Sequence, residues 1–289
     1  MSTETTTSSV PTAVAVLGGG RMGAGIAHAF LTSGSRVTVI EIDDDAAEAA
    51  RRRIETDLTA SIERGKISGE LAQWTSRLTT TAQDTALAEC ELAIEAVPED
   101  WDLKISSLQR LEAGLPATGW LATNTSSLSI DGLAEQLKRP ERFCGLHFFN
   151  PVPASKLVEV VIGDRTGDQL RTLAGQWVAG LGKTAVTVAD APGFASSRLG
   201  VAIALEAIRM VEDGVASAED IDSAMVLGYR FPIGPLALTD IVGLDVRLGI
   251  AEYLEHELGP RFAPPQLMRE MVERGHLGRK TGQGFYTYD

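Results

Sequence analysis

A glycine-rich stretch, Gly18-Gly19-Gly20-Arg21-Met22-Gly23, limits what this chain can fold into more than any other segment. It follows a short apolar β run, Ala13–Leu17, and opens a segment that reads as a helix over Met22–Ser33, closed by Gly34. A second β run, Arg36–Ile40, comes next and ends in Glu41. Strand, helix and strand within about thirty residues make a βαβ unit, which demands parallel strands and a right-handed crossover. Between strand and helix, G-x-G-x-x-G has a mechanical meaning. Gly18 permits the tight turn, Gly20 lets backbone amides approach a pyrophosphate, and Gly23 lets helix and strand pack closely. The pyrophosphate then rests at the positive end of the helix dipole. The expected cofactor-binding residues are Gly18, Gly19, Gly20, Arg21, Met22 and Gly23. Glu41, ending the second strand, is placed to accept hydrogen bonds from adenosine ribose hydroxyls. Asp43, Asp44 and Asp45 follow it with no nearby arginine to neutralise a 2′-phosphate, so NAD is expected rather than NADP.

Beyond this unit, a long charged helix is expected from Asp44 to Arg64, broken at Gly65 and resumed over Ser68–Ser76. Further strands are predicted at Leu78–Thr81, Leu92–Ala96, Trp120–Thr123, Arg142–Leu146, Leu157–Ile162 and Ala185–Val188. Helical stretches such as Trp101–Glu112 and Asp168–Leu181 separate many of them, the alternation of a doubly wound sheet. The pattern changes at Asp190-Ala191-Pro192-Gly193. After it, Phe194–Asp213, Ser217–Leu227, Pro235–Leu258 and Pro264–Arg274 read as helices, with one short strand candidate at Gly284–Tyr286. The expected fold is α/β: an N-terminal doubly wound Rossmann-type domain (13–189) followed by a smaller all-α C-terminal domain (190–289). Residues 1–12, polar and without Lys or Arg, read as a flexible tail rather than a targeting signal.

At 289 residues the chain is long enough for two cores. A net charge of −13 argues against a nucleic-acid or anionic-membrane surface. No apolar run approaches the roughly eighteen residues needed to span a bilayer, so a cytoplasmic location is expected. Cys90 and Cys144 lie in apolar runs and read as buried, reduced thiols. No metal site is expected.

Chemistry concentrates in His147-Phe148-Phe149-Asn150-Pro151-Val152-Pro153, followed by Lys156-Leu157-Val158-Glu159. Imidazole is the side chain best suited to proton transfer near neutral pH, and a Pro-rich turn could fold Glu159 back toward it. With the glycine-rich loop, Glu41 and Asn124-Thr125-Ser126-Ser127 in chain order, this block resembles the short-chain L-3-hydroxyacyl-CoA dehydrogenase family. The likeness is greatest to bacterial 3-hydroxybutyryl-CoA dehydrogenases. It runs from Ala13 to Tyr288 and includes Pro192-Gly193-Phe194, Gly234-Pro235, Asp240…Asp245 and Gly278-Arg279-Lys280…Gly284. The HFFNP and NTSS blocks are specific to this family and its close relatives; the glycine-rich loop is not.

The resemblance implies reversible, NAD-dependent oxidation of the L-3-hydroxyl of an acyl-CoA to a 3-ketone, within fatty acid metabolism and β-oxidation. It makes His147 the base or acid, with Glu159 accepting a hydrogen bond from the other ring nitrogen. It gives Ser126 a hydrogen bond to the substrate oxygen at C3, leaving Ser127 as a helix cap. It also places Asn150, Glu99, Lys104 and Lys280 in contact with the cofactor; as isolated charges, Glu99 and Lys104 would read as a solvated pair on a helix start. The family has Asn where this chain has Ser197, so Ser197 is expected to keep a weaker version of that polar role. Arg51-Arg52-Arg53 and Arg64-Gly65-Lys66 are candidates for the CoA phosphates, with no single residue assignable. Two other substrates keep the same chemistry: 3-hydroxyadipyl-CoA or another hydroxyacyl thioester, and a non-thioester hydroxy acid. A non-catalytic relative would lack the His–Glu pair, and both residues are present. The apolar helices Val201–Met210 and Ile241–Leu254 imply, with the resemblance, a homodimer built through the C-terminal domain.

Overall fold

Strand β1 (Ala13–Leu17) is buried at every position, as a strand covered on both faces must be. It is an interior strand of an eight-stranded sheet among residues 10–288, the part of the chain that the computed structural model describes. The other strands are β2 (Arg36–Ile40), β3 (Leu78–Thr81), β4 (Leu92–Glu95), β5 (Trp120–Thr123), β6 (Phe143–Phe148), β7 (Leu157–Ile162) and β8 (Thr184–Ala189). Their order is β3-β2-β1-β4-β5-β6-β7-β8. Every neighbouring pair is parallel except β6 and β7, which run antiparallel. The order reverses between β1 and β4, the switch point at which doubly wound sheets open a crevice.

Helix α1 (Arg21–Thr32) is buried continuously from Gly23 to Leu31, so its small residues let it lie close to the sheet. Helix α2 (Asp44–Glu63) begins where the Asp43 carboxylate accepts from Ala46 N at 2.7 Å. It buries one stripe, Ala47, Ala50, Ile54, Leu58 and Ser61, at helical spacing. The short α3 (Leu71–Thr75) precedes β3; α4 (Trp101–Gly114), α5 (Ile130–Ala134) and α6 (Asp168–Gly180) complete the layers. The core includes Val14, Ile26, Phe30, Val39, Leu58, Ile94, Leu146 and Trp177.

Two sequence expectations in this unit need correction. Residues 1–9 of the expected tail lie outside the described residues, but 10–12 are held. Val10 is buried, Ser35 donates to Pro11 O at 2.7 Å, and Thr12 N donates to Glu91 Oε2 at 3.0 Å. The cap of α5 is Ser129, whose hydroxyl accepts from Gly132 N at 3.0 Å, rather than Ser127.

The chain divides into two compact units between Asp190 and Ala191. The second contains α7 (Ser196–Glu212), α8 (Ala218–Ser223) with a π turn over Ala224–Gly228, α9 (Pro235–Val242), α10 (Leu244–Leu258) and α11 (Gln266–Glu273). Its core gathers Val201, Leu205, Ile208, Leu236, Leu254, Phe262 and Met268. The expected single helix over Pro235–Leu258 is broken at Gly243, whose φ of 105° ends one helix and starts another. The expected terminal strand is reduced to isolated bridges of Gln283 with Gly278 and Thr287. Asp240 pins that segment instead, accepting from Phe285 N at 3.0 Å and Tyr286 N at 2.9 Å.

Candidate active site

The carboxyl end of β1 leads directly into the glycine-rich loop, where three of the four glycines are required by conformation or close contact. Gly18 has a φ of 92°. A Cβ on Gly23 would lie 1.7 Å from Gly18 O, so helix and strand could not close on a side chain. A Cβ on Gly19 would lie 2.3 Å from Ala50 Cβ, which makes Gly19 the contact point between the loop and α2. Gly20 differs from all three, because nothing lies within 4 Å of where its Cβ would be. Arg21 is exposed, and Met22 packs on the core. Glu41, half-buried beyond β2, accepts from Gly19 N at 2.6 Å and from Ile42 N at 3.2 Å. A cleft beside it is lined by Gly18, Glu41, Ile42, Val97, Leu103 and Ser107.

Besides Arg21 within the loop, an arginine of α2 reaches its backbone. Arg53 Nη1 donates to Gly19 O at 2.5 Å. Helix winding carries Arg53 back to the loop, a proximity hidden by a sequence separation of 34. Its neighbours turn elsewhere: Arg51 donates to Leu78 O at 3.1 Å, and Arg52 pairs with Glu48 at 3.1 Å.

Lys104 and Glu99 are not a solvated pair on a helix start. Lys104 is 1% exposed, and its Nζ lies 2.8 Å from Glu95 Oε1 and 3.2 Å from Glu99 Oε2. Glu95, at the end of β4, is fully buried and also accepts from the Thr123 hydroxyl and from Val97 N. Glu99 Oε1 takes the Thr125 hydroxyl at 2.5 Å, Ser126 N at 2.9 Å and Ser127 N at 3.2 Å, with the Ser126 hydroxyl at 3.3 Å. Burial works against the Glu99 charge, yet the Lys104 ammonium and these donors hold its carboxyl below the usual range. Sequence reasoning missed Glu95, Thr123 and Thr125. An acid inside the apolar run Leu92–Ala96 was the available signal.

His147 and Glu159 are paired directly across the antiparallel β6–β7 ladder. His147 Nδ1 lies 2.8 Å from Glu159 Oε2, and the residues are 7% and 1% exposed. Residues facing each other across a ladder project to the same side of the sheet, which brings the carboxylate to the ring without a loop. The Phe149 ring lies 4.4 Å from the imidazole, centroid to centroid. Asn124 Oδ1, beyond β5, accepts from Phe148 N at 2.9 Å and so ties the NTSS segment to the histidine strand. Asn150 is exposed and precedes Pro151 through a cis peptide bond. His147, the NTSS segment, Glu99 and the glycine-rich loop all lie at carboxyl ends of parallel strands.

In the second unit, Ser197 is the second residue of α7 and half-buried. Lys280 Nζ lies 2.6 Å from both Asp245 carboxylate oxygens. Cys90 and Cys144 are free and buried, and burial pushes their thiols up to about 11 and about 12. Among the described residues, no group of three or more His, Cys, Asp or Glu could hold a metal ion. No helix there is long and apolar enough to cross a membrane.

Comparison with known proteins identifies the family. The model of the 3-hydroxyacyl-CoA dehydrogenase NAD binding domain matches residues 13–191, and that of the 3-hydroxyacyl-CoA dehydrogenase C-terminal domain matches residues 193–288. The chain belongs to the 3-hydroxyacyl-CoA dehydrogenase family. It is 41% identical over 281 residues to a 3-hydroxybutyryl-CoA dehydrogenase of Mycobacterium tuberculosis, covering 95% of this chain and 98% of that one. It is 39% identical over 274 residues to a probable 3-hydroxybutyryl-CoA dehydrogenase of Deinococcus radiodurans, covering 94% and 99%. Among solved structures, the (S)-3-hydroxybutyryl-CoA dehydrogenase from Ralstonia eutropha superposes with a TM-score of 0.92 at 38% identity, covering 96% and 99%.

As a member of this dehydrogenase family, the chain is an oxidoreductase acting on CH–OH with NAD as cofactor. Its residues fit that cofactor. The α1 N-terminus has no acid in its first turn, and open space adjoins Gly20 where a pyrophosphate would approach. Glu41 stands at the strand end that the adenosine ribose requires.

Proposed function

We propose that the chain oxidises the 3-hydroxyl of short L-3-hydroxyacyl-CoA thioesters, 3-hydroxybutyryl-CoA above all, and catalyses the reverse reduction. The carrying observation is the 2.8 Å contact between His147 Nδ1 and Glu159 Oε2. A carboxylate on Nδ1 holds the proton there and leaves Nε2 with a lone pair, the tautomer a general base needs. His147 then takes the proton of the C3 hydroxyl, and Glu159 stabilises the imidazolium that forms. In reduction the same ring returns the proton to the nascent alkoxide. Bound NAD supplies the hydride acceptor. Ser126 donates a hydrogen bond to the substrate oxygen, exchanging its long bond to Glu99 for a better one. Asn150, Glu99, Lys104 and Lys280 serve the cofactor, and Ser197 adds one polar contact in the second unit. The chain acts in β-oxidation-type metabolism in the cytoplasm, as a homodimer joined through its C-terminal domain.

Initial rates of NADH oxidation with acetoacetyl-CoA, longer 3-ketoacyl-CoAs and 3-oxoadipyl-CoA test the substrate. The highest kcat/KM is expected for acetoacetyl-CoA; a preference for 3-oxoadipyl-CoA would move the assignment to a dicarboxylyl thioester. NADPH should be a poor substitute for NADH. Light scattering should give twice the monomer mass at micromolar concentration, and a lone monomer peak would contradict the dimer.

A further inference from the structure

Gly19 is held from two sides: its N–H donates to Glu41 Oε1 at 2.6 Å, and its carbonyl accepts from Arg53 Nη1 at 2.5 Å. The approach of α2 makes the second bond possible. Ala50, which a Gly19 side chain would strike, lies three residues before Arg53 and so on the same helix face. In a planar trans peptide the carbonyl and the following N–H point in opposite directions. Drawing the Gly19 carbonyl toward α2 therefore turns the Gly20 N–H away from α2. Gly20 is the glycine with open space beside it.

We propose that Arg53 is a positioning residue for the pyrophosphate of NAD. It fixes the Gly19–Gly20 peptide so that the Gly20 amide is already aimed before the cofactor arrives. It also brings a positive charge within one hydrogen bond of the loop. Glu41, Asp43, Asp44 and Asp45 make the neighbouring strand end acidic in a chain of net charge −13. Against them stand the dipole of α1 and the exposed Arg21, and a guanidinium on the loop carbonyl adds a second full charge held at the backbone. Arg51 and Arg52 are engaged elsewhere and leave this task to Arg53. The inference rests on the glycine-rich loop being the pyrophosphate site.

The test is equilibrium binding rather than turnover. NADH is titrated by fluorescence, and ADP and adenosine are used to displace it, with wild type, Arg53→Met and Arg53→Lys. Arg53→Met should raise the Kd for NADH and ADP roughly tenfold, leave adenosine within about twofold, and regain part of the loss in Arg53→Lys. Should Arg53→Met not fold, Arg53→Gln is read by the same criteria. An NADH affinity within about twofold of wild type would overturn the proposal. So would equal losses for ADP and adenosine, since Arg53 would then merely shape the pocket. If wild type itself binds ADP no better than adenosine, the pyrophosphate assignment of the loop fails instead.

Discussion

Gly19 and Ala50 touch so closely that a Cβ on Gly19 would come within 2.3 Å of Ala50 Cβ. The loop and α2 therefore share one surface, and the contact excludes any side chain at position 19. Gly19→Ala should destabilise the fold by about 1–3 kcal/mol, as overpacking does, and weaken NADH binding. Ala50→Gly removes the colliding methyl at a helix-propensity cost of about 1 kcal/mol. The double variant should therefore be more stable than the sum of the single losses implies. Urea unfolding of all four proteins measures this, and simple additivity would refute the contact.

Lys104 and Glu95 form a buried ion pair at 2.8 Å, with side chains 1% and 0% exposed. Removing one partner of such a pair strands a charge at a cost of about 3–5 kcal/mol, whereas replacing both is close to neutral. Lys104→Met should lose stability on that scale, and adding Glu95→Gln should recover most of it. Urea midpoints decide; a Lys104→Met protein as stable as wild type would contradict the pairing.

His28 is buried with Nε2 2.9 Å from the Ser61 hydroxyl. Burial, with smaller contributions from Lys183 and Lys66, lowers its pKa from 6.5 to about 4. Between those values the unfolded chain takes up a proton that the folded chain refuses. Neutral His28 thus contributes its full stability above pH 6.5 and loses it as the pH falls toward 4. The loss reaches about 3 kcal/mol at pH 4. His28→Gln should unfold with a flatter pH dependence across that window. Parallel profiles for the two proteins would rule the effect out.

Reading the βαβ unit from sequence succeeded because apolar runs, glycines and an acidic strand end all recur at short range. His147 and Glu159 were legible for a related reason: β6 and β7 are consecutive, so a turn suffices to bring them together. Arg53 was not, since only the winding of α2 returns it to Gly19. Glu95 was hidden inside a run that is otherwise apolar, and its charge balance depends on Lys104 from the following helix. Gly243 sits within a continuous apolar pattern that hides the break, although Gly followed by Leu-Asp is an end-and-restart signal. Ser127 and Ser129 are chemically equal candidates for a cap, and only the backbone shows which one precedes the helix.

In the proposed reaction His147 moves the proton and Glu159 sets its tautomer. The most direct measurement is kcat for NADH-dependent reduction of acetoacetyl-CoA by Glu159→Gln, beside the Kd for NADH. An amide at position 159 can favour the wrong tautomer and cannot stabilise imidazolium, so kcat should fall by about 10²-fold or more while NADH binding stays within about twofold. A Glu159→Gln enzyme with wild-type kcat would contradict these roles of His147 and Glu159.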